Sequence, residues 1–127
     1  WEELSAAIEG FGGLSVAALN GSCAGGAMGM MLACDLRVAV PTARFFYPVM
    51  RLGYLPQPSD PGRLRALVGR SRARLILMSG AKIAADEALA MGLVDRLTED
   101  ASGESESLCG DVLAAKDGHP EAIGAMI

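Results

Sequence analysis

The sequence predicts an α/β fold, and three observations carry that prediction. Short apolar strands, at 15–19, 36–40, 43–47 and 93–97, alternate with helical stretches. The segment Gly25–Cys34 reads as a helix that is apolar almost all round, so it must be buried on most sides. Single glycines (Gly69, Gly80 and Gly92) punctuate the later helices as stops.

In chain order, Trp1 to Phe11 is an amphipathic helix with Trp1, Leu4, Ile8 and Phe11 at helical spacing, ended by Gly12-Gly13. Ser15 to Leu19 is a strand rich in small residues, closed by the turn signal Asn20-Gly21. After the apolar helix, Asp35 interrupts. Leu36 to Val40 is a second strand ended by Pro41, and Ala43 to Tyr47 a third before Pro48. A proline-rich loop covers 53–62, where Ser59 or Asp60 caps the next helix with Pro61 in its first turn. That helix runs to about Val68. Ser71 caps another over 72–78, a third covers 83–91, and 93–97 is a terminal strand. Thr98 to Ser107 is polar and acidic and reads as an exposed linker, with a helical pattern resuming at Leu108. The expected organisation is therefore a core over 1–97, a linker over 98–107 and a helical region beginning within 108–127. Because a helical pattern is already under way at Trp1 and the chain ends in an apolar run at Ile127, both ends read as cuts through a longer protein.

Composition excludes several classes. The 127 residues are 51% hydrophobic with a mean hydropathy of +0.32, which excludes intrinsic disorder. Eleven Lys and Arg against 15 Asp and Glu give a net charge of −4, so no nucleic-acid partner is expected. The longest run of apolar residues and glycine, Cys23 to Cys34, falls short of the roughly 20 residues that span a bilayer, so no membrane partner is expected. No secretory signal pattern opens the chain, and cytoplasmic placement follows. Cys23, Cys34, Cys109 and the single histidine, His119, show no metal-ligand spacing, so no metal site is expected.

Asn20-Gly21-x-x-x-Gly25-Gly26 joins a buried strand to the start of the apolar helix. Glycines there permit close backbone approach, and the free N–H groups of a first helical turn attract negative charge, including a developing oxyanion. The alternative is that Gly25 and Gly26 serve only tight strand–helix packing. The run is neither a dinucleotide fingerprint nor a phosphate-binding loop, since the acidic residue and the Gly-Lys-Ser/Thr ending are both missing.

Val16-Ala17-Ala18-Leu19-Asn20-Gly21-Ser22-Cys23-Ala24-Gly25-Gly26-Ala27 resembles the central motif of the crotonase superfamily, the enoyl-CoA hydratase/isomerase proteins. Leu32 to Ala39, Ala43-Arg44-Phe45, Leu52 to Pro56, Arg63-Leu64 and Leu67-Val68-Gly69 continue it in register. So do Leu77 to Gly80, Ile83 to Ala88 and Met91 to Asp95, and the likeness covers roughly 12–97. The resemblance implies a spiral of ββα turns, here its central and later turns, assembling as trimers or dimers of trimers. It implies an acyl-CoA thioester as substrate or ligand, no separate cofactor, and an oxyanion hole of two backbone N–H groups. Gly26 would supply one donor, with the other on a segment preceding Trp1. Around the thioester it places Ala24, Gly25, Gly26, Pro48, Val49, Leu52, Tyr54 and Gln57.

This chain departs from the pattern at both acids. Hydratases of the family carry one glutamate three residues after the oxyanion glycine, where this chain has Gly29, and a second after the proline, where it has Val49. Neither replacement transfers a proton or orients a water. Two-glutamate hydration is therefore not expected. The open readings are another enolate reaction on an acyl-CoA, an acyl-CoA binder without chemistry and, more remote, a structural subunit that serves assembly only. The first covers lyase or isomerase chemistry such as decarboxylation or isomerisation, and thioester cleavage, with groups from Tyr54, Gln57, Asp60 or a preceding segment. Losing both side chains predicts an apolar cavity walled by Met28, Met30, Val49 and Met50, while close helix packing is the other reason for Gly29. Among remaining candidates, Tyr47, Tyr54, Gln57 and Asp60 lie near the pocket loop, with Tyr54 expected at the rim and Asp60 as a helix cap. Cys23 is expected as a small buried thiol, and Arg51, Arg63, Arg65, Arg70, Arg72 and Arg74 as solvated helix faces, intersubunit pairs or CoA phosphate contacts.

Overall fold

Successive strand–strand–helix units lay their strands on one another, first on first and second on second. The computed structural model describes residues 1–115. Strand β1 (Val16–Leu19) pairs in parallel with β3 (Leu36–Ala39), Val16 opposite Leu36 and Leu19 opposite Ala39. Strand β2 (Cys23–Ala24) pairs in parallel with β4 (Arg44–Phe46). Strand β6 (Arg96–Leu97) extends the first sheet and β5 (Ile83–Ala84) the second, giving two three-stranded sheets. Helix α2 (Gly26–Ala33) carries the chain from β2 back to β3 and completes a ββα turn, as the α/β spiral expectation requires.

The core lies between these sheets and the helices α2, α3 (Asp60–Val68), α4 (Arg70–Ser79) and α5 (Ala85–Met91). Met28, Phe45, Leu64, Ile76 and Leu93 are each fully buried there. The apolar-all-round reading of α2 holds: Met28, Gly29, Met31, Leu32 and Ala33 are buried. Its C-terminal end is closed by a buried cation. The Arg37 guanidinium donates to the carbonyls of Cys34 (2.7 Å) and Leu93 (2.9 Å) and sits 3.5 Å from the Asp95 carboxylate. A positive group there satisfies carbonyls that a helix end leaves unpaired.

Several elements differ from expectation. Helix α1 (Glu2–Glu9) forms, but Trp1, Leu4 and Phe11 of its apolar stripe are exposed, while Ser5 is buried. The small Ser5 lets α1 approach the rest of the molecule and accepts from Arg63 at 2.8 Å. The expected linker 98–107 is largely helical, because α6 (Ala101–Ala114) starts where the Asp100 carboxylate caps the Gly103 N–H at 3.0 Å. Ala101 is buried, and Arg96 pairs with Glu104 at 2.6 Å, so the polar run is held against the core. Ser59 occupies the N-cap position of α3 without making a cap bond, and its N–H and hydroxyl bind the Glu2 carboxylate instead. Ser71 lies inside α4, which starts after Gly69. Ile83 and Ala84 separate from the following helix as β5, and the last strand shrinks to Arg96–Leu97. His119 and the rest of 116–127 lie outside the described residues.

Candidate active site

Helix α2 begins with two glycines because the backbone turns sharply from β2. Gly25 sits at φ 55°, a conformation open to glycine, and its N–H is tied to the Phe46 carbonyl at 3.2 Å. That bond fixes the start of α2 against the end of β4. Gly26 is the first helical residue, and no described residue accepts from its N–H. The indole of Trp1 lies over Gly26, where an added Cβ would stand 2.5 Å from the ring.

One turn further along α2, Gly29 is equally close to something else. A Cβ built there would meet both carboxylate oxygens of Asp60 at 2.8 Å. Asp60 is fully buried, and the Tyr47 hydroxyl, itself buried, donates to its Oδ2. The Gln57 N–H donates to that same hydroxyl at 3.2 Å, so the proline-rich loop braces the pair. Oδ1 of Asp60 is buried with no hydrogen-bond partner among the described residues, and the nearest cation is Arg63 at 3.7 Å. Arg63 is committed elsewhere as well, donating to Ser5 and, at 2.6 Å, to Glu9.

Burial pushes the Asp60 carboxyl above its ordinary value, against the opposing pull of the Tyr47 hydroxyl and the Arg63 cation. Glu2 adds to the rise. Burial and the bond to Asp60 push the Tyr47 phenol up as well, so it remains a donor. Glu2 is lowered, chiefly by the Ser59 hydroxyl and N–H. Burial raises the Cys23 thiol to about 11, as fits a structural thiol rather than a nucleophile.

The sequence profile of the family described as "Enoyl-CoA hydratase/isomerase" matches residues 2–114. The chain belongs to the enoyl-CoA hydratase/isomerase family. It is 39% identical over 84 residues to a short-chain-enoyl-CoA hydratase of Clostridium acetobutylicum, covering 66% of this chain and 32% of that protein. An enoyl-CoA-hydratase of Amycolatopsis orientalis is 34% identical over 127 residues, covering 97% of this chain and 56% of the relative. The structure of DspI from Pseudomonas aeruginosa superposes with a TM-score of 0.87 at 31% identity, over 96% of this chain and 50% of that one. The chain thus spans about a third to a half of the length of these relatives.

Within this enoyl-CoA hydratase/isomerase chain, the residues singled out from the sequence fall in two groups. Ala24, Gly25, Gly26 and Gly29 follow one another through β2 and α2. Pro48, Val49 and Leu52 belong to the 3₁₀ turn Pro48–Leu52 that follows Tyr47, with Pro48 and Val49 half-buried. Leu52 and Tyr54 project into solvent, 68% and 69% exposed, while Gln57 contributes its backbone N–H to Tyr47.

Two expectations are corrected. Asp60 is no helix cap: it is the first residue of α3 and its carboxylate points into the interior, toward Tyr47 and Gly29. Nor is there an apolar cavity over Gly29, because the Asp60 carboxylate stands there. Of the four proposed wall residues, Val49 packs against the core that holds Met28, while Met30 and Met50 lie elsewhere. Met28 is in the core, Met50 is 38% exposed, and Met30 lines a different cleft of about 370 Å³ with Ile8, Ala17 and Cys23. Neither Gly26, Gly29, Tyr47 nor Asp60 lines that cleft. No cluster of possible metal ligands occurs among the described residues, and no helix among them is long and apolar enough to cross a membrane.

Proposed function

We propose that this chain carries the enolate-stabilising part of an acyl-CoA thioester site whose reaction is not two-glutamate hydration. The observation that carries the reading is the Gly26 N–H, uncommitted at the first turn of a buried helix and reached through a positive-φ glycine. A thioester oxygen that gains charge beside such a donor is stabilised by a dipole already in place. One such donor is worth about 3–4 kcal/mol in acyl-transfer sites. Relatives named as enoyl-CoA hydratases support an acyl-CoA as the ligand. The Gly and Val at positions 29 and 49 remove both groups that would activate and protonate in hydration.

In this reading the coenzyme A thioester is itself the substrate, the second oxyanion donor comes from sequence preceding Trp1, and the working unit is a trimer or dimer of trimers in the cytoplasm. The test is a pair of measurements on the full-length protein. Calorimetry with acyl-CoA thioesters of different acyl size should show binding. A crotonyl-CoA hydration assay should show turnover far below the ~10 s⁻¹ of a typical enzyme. Absence of acyl-CoA binding, or hydration at an ordinary enzymatic rate, refutes the proposal.

A further inference from the structure

We propose that Asp60 is the proton-carrying carboxyl of this site, seated over Gly29 by Tyr47 in the place the family resemblance assigns to an acid on α2. The inference rests on the acyl-CoA reading above and adds to it the group that moves the proton. Three features of the geometry carry it. The carboxylate occupies the space a side chain at position 29 would enter, with both oxygens 2.8 Å from a Cβ built there. One oxygen is held by the Tyr47 hydroxyl while the other, Oδ1, is buried and unpartnered among the described residues. A native interior rarely leaves such an atom without a partner, and a functional role is one of the few reasons it does so. Gly26 and Gly29 lie three residues apart on one helix face, a rise of about 4.5 Å. The Trp1 ring lies over Gly26, so a thioester oxygen on the Gly26 N–H requires this exposed ring to turn aside, and the α-carbon then lies along the α2 face toward Gly29 and Asp60.

The surroundings suit proton transfer better than a structural ion pair. Arg63 approaches Oδ1 only to 3.7 Å and spends its short bonds on Ser5 and Glu9. Ser59, next to Asp60, is engaged by Glu2, so α1 clamps α3 on both sides of the carboxylate without contacting Oδ1. A buried carboxyl raised by desolvation, facing Tyr47, Arg63 and Glu2, is a stronger base once ionised than an exposed one.

The step is a proton abstraction. The α-carbon–hydrogen bond of the acyl group breaks and its proton passes to Oδ1 of Asp60. The electron pair moves into the carbon–carbon bond of an enolate whose oxygen is held by the Gly26 N–H. In D2O the proton on Oδ1 exchanges with solvent, and return of a deuteron to the α-carbon restores the thioester with deuterium in place of hydrogen. Tyr47 acts as a positioning residue, fixing Oδ2 and through it the direction of Oδ1.

Phenylacetyl-CoA is the probe, because its aryl group acidifies the α-hydrogens. The full-length protein is incubated with it in D2O, incorporation is followed by mass spectrometry across pH, and binding is measured by calorimetry. Wild type should bind and exchange. Asp60→Asn should bind yet exchange about 10²–10⁴-fold more slowly. Tyr47→Phe removes a bond that lowers the Asp60 carboxyl, so the rise of rate with pH should move to higher pH. Wild-type binding without exchange, or Asp60→Asn exchanging at the wild-type rate, overturns the inference and leaves the acyl-CoA reading standing. A Tyr47→Phe profile that falls uniformly without moving also overturns it, and this variant decides the matter if Asp60→Asn fails to fold. No binding by wild type overturns the acyl-CoA reading and this inference with it.

Discussion

Replacing each of the two α2 glycines by alanine separates a filled site from an open one. Alanine in a helix interior is favoured over glycine by about 1 kcal/mol, so at Gly29 propensity alone predicts a more stable variant. At Gly29 the new methyl would stand 2.8 Å from both Asp60 oxygens and 3.1 Å from Cγ, well inside ordinary contact. The carboxylate cannot swing away freely, since it is fully buried and held by Tyr47. Overpacking by one methyl costs about 1–3 kcal/mol, and loosening a hydrogen bond to a charged group costs about 1.5–3 kcal/mol. Set against the propensity gain, Gly29→Ala should lose about 1.5–5 kcal/mol. At Gly26 the obstacle is the Trp1 ring, which is 60% exposed and can rotate into solvent. Gly26→Ala should therefore change stability by no more than about 0.5 kcal/mol. Urea unfolding of the full-length protein, followed by tryptophan fluorescence and by far-ultraviolet dichroism, measures both. A Gly29→Ala variant as stable as wild type, or more so, would refute the placement of Asp60 over Gly29.

Asp60 also gives stability a pH dependence of definite sign. Its folded carboxyl titrates above the ordinary 3.8, so protonation favours the folded state. That contribution is complete below the ordinary value and is lost as pH rises through the folded one. Asp60→Asn should thus be more stable than wild type at pH 7 and lack this decline, and a variant less stable than wild type at pH 7 contradicts the reasoning. Arg37→Met strips a buried cation from the carbonyls of Cys34 and Leu93 and should cost about 3 kcal/mol in denaturant unfolding, whereas Asp95→Asn, at a partly exposed partner, should cost under about 1 kcal/mol. Cys23, buried and raised to about 11, should resist alkylation at pH 8 in the native protein and react only on unfolding; rapid native labelling, read by peptide mass spectrometry, counts against it.

The elements were legible where local chemistry decides them. Gly69 and Gly92 end α3 and α5 at φ 86°, a positive backbone angle that suits glycine, and Gly92 turns left-handed. An unbroken apolar helix can exist only where neighbours cover every side, so the burial of α2 followed from composition. Local pattern failed where tertiary contacts override it. The Ser- and Glu-rich start of α6 is polar enough for a linker, yet the Asp100 cap and the Arg96–Glu104 pair commit it to a helix. The apolar stripe of α1 suggests a buried face, but it is Ser5 that is buried, since a small residue permits the approach to Arg63.

The site was legible only in part, for a related reason. Gly26, Gly29 and Val49 emerge from the resemblance because each stands at a fixed spacing from a recognisable motif. Asp60 has no such marker, and its local sequence, Ser-Asp-Pro before a helix, argues strongly for a cap. What links it to the site is volume. A glycine in the middle of a helix carries a cost that alanine would avoid, so its presence implies something occupying the space of a side chain. Here that occupant is a carboxylate from another helix, 31 positions further along the chain. Gly29 and Asp60 are thus two parts of one arrangement: an acid restored at position 29 would collide with the one at 60. Removing Asp60 alone would leave the glycine with nothing above it. If Asp60 carries the proton as proposed, the acid stands on a different element from the motif that would mark it, and an empty motif position does not establish an empty site.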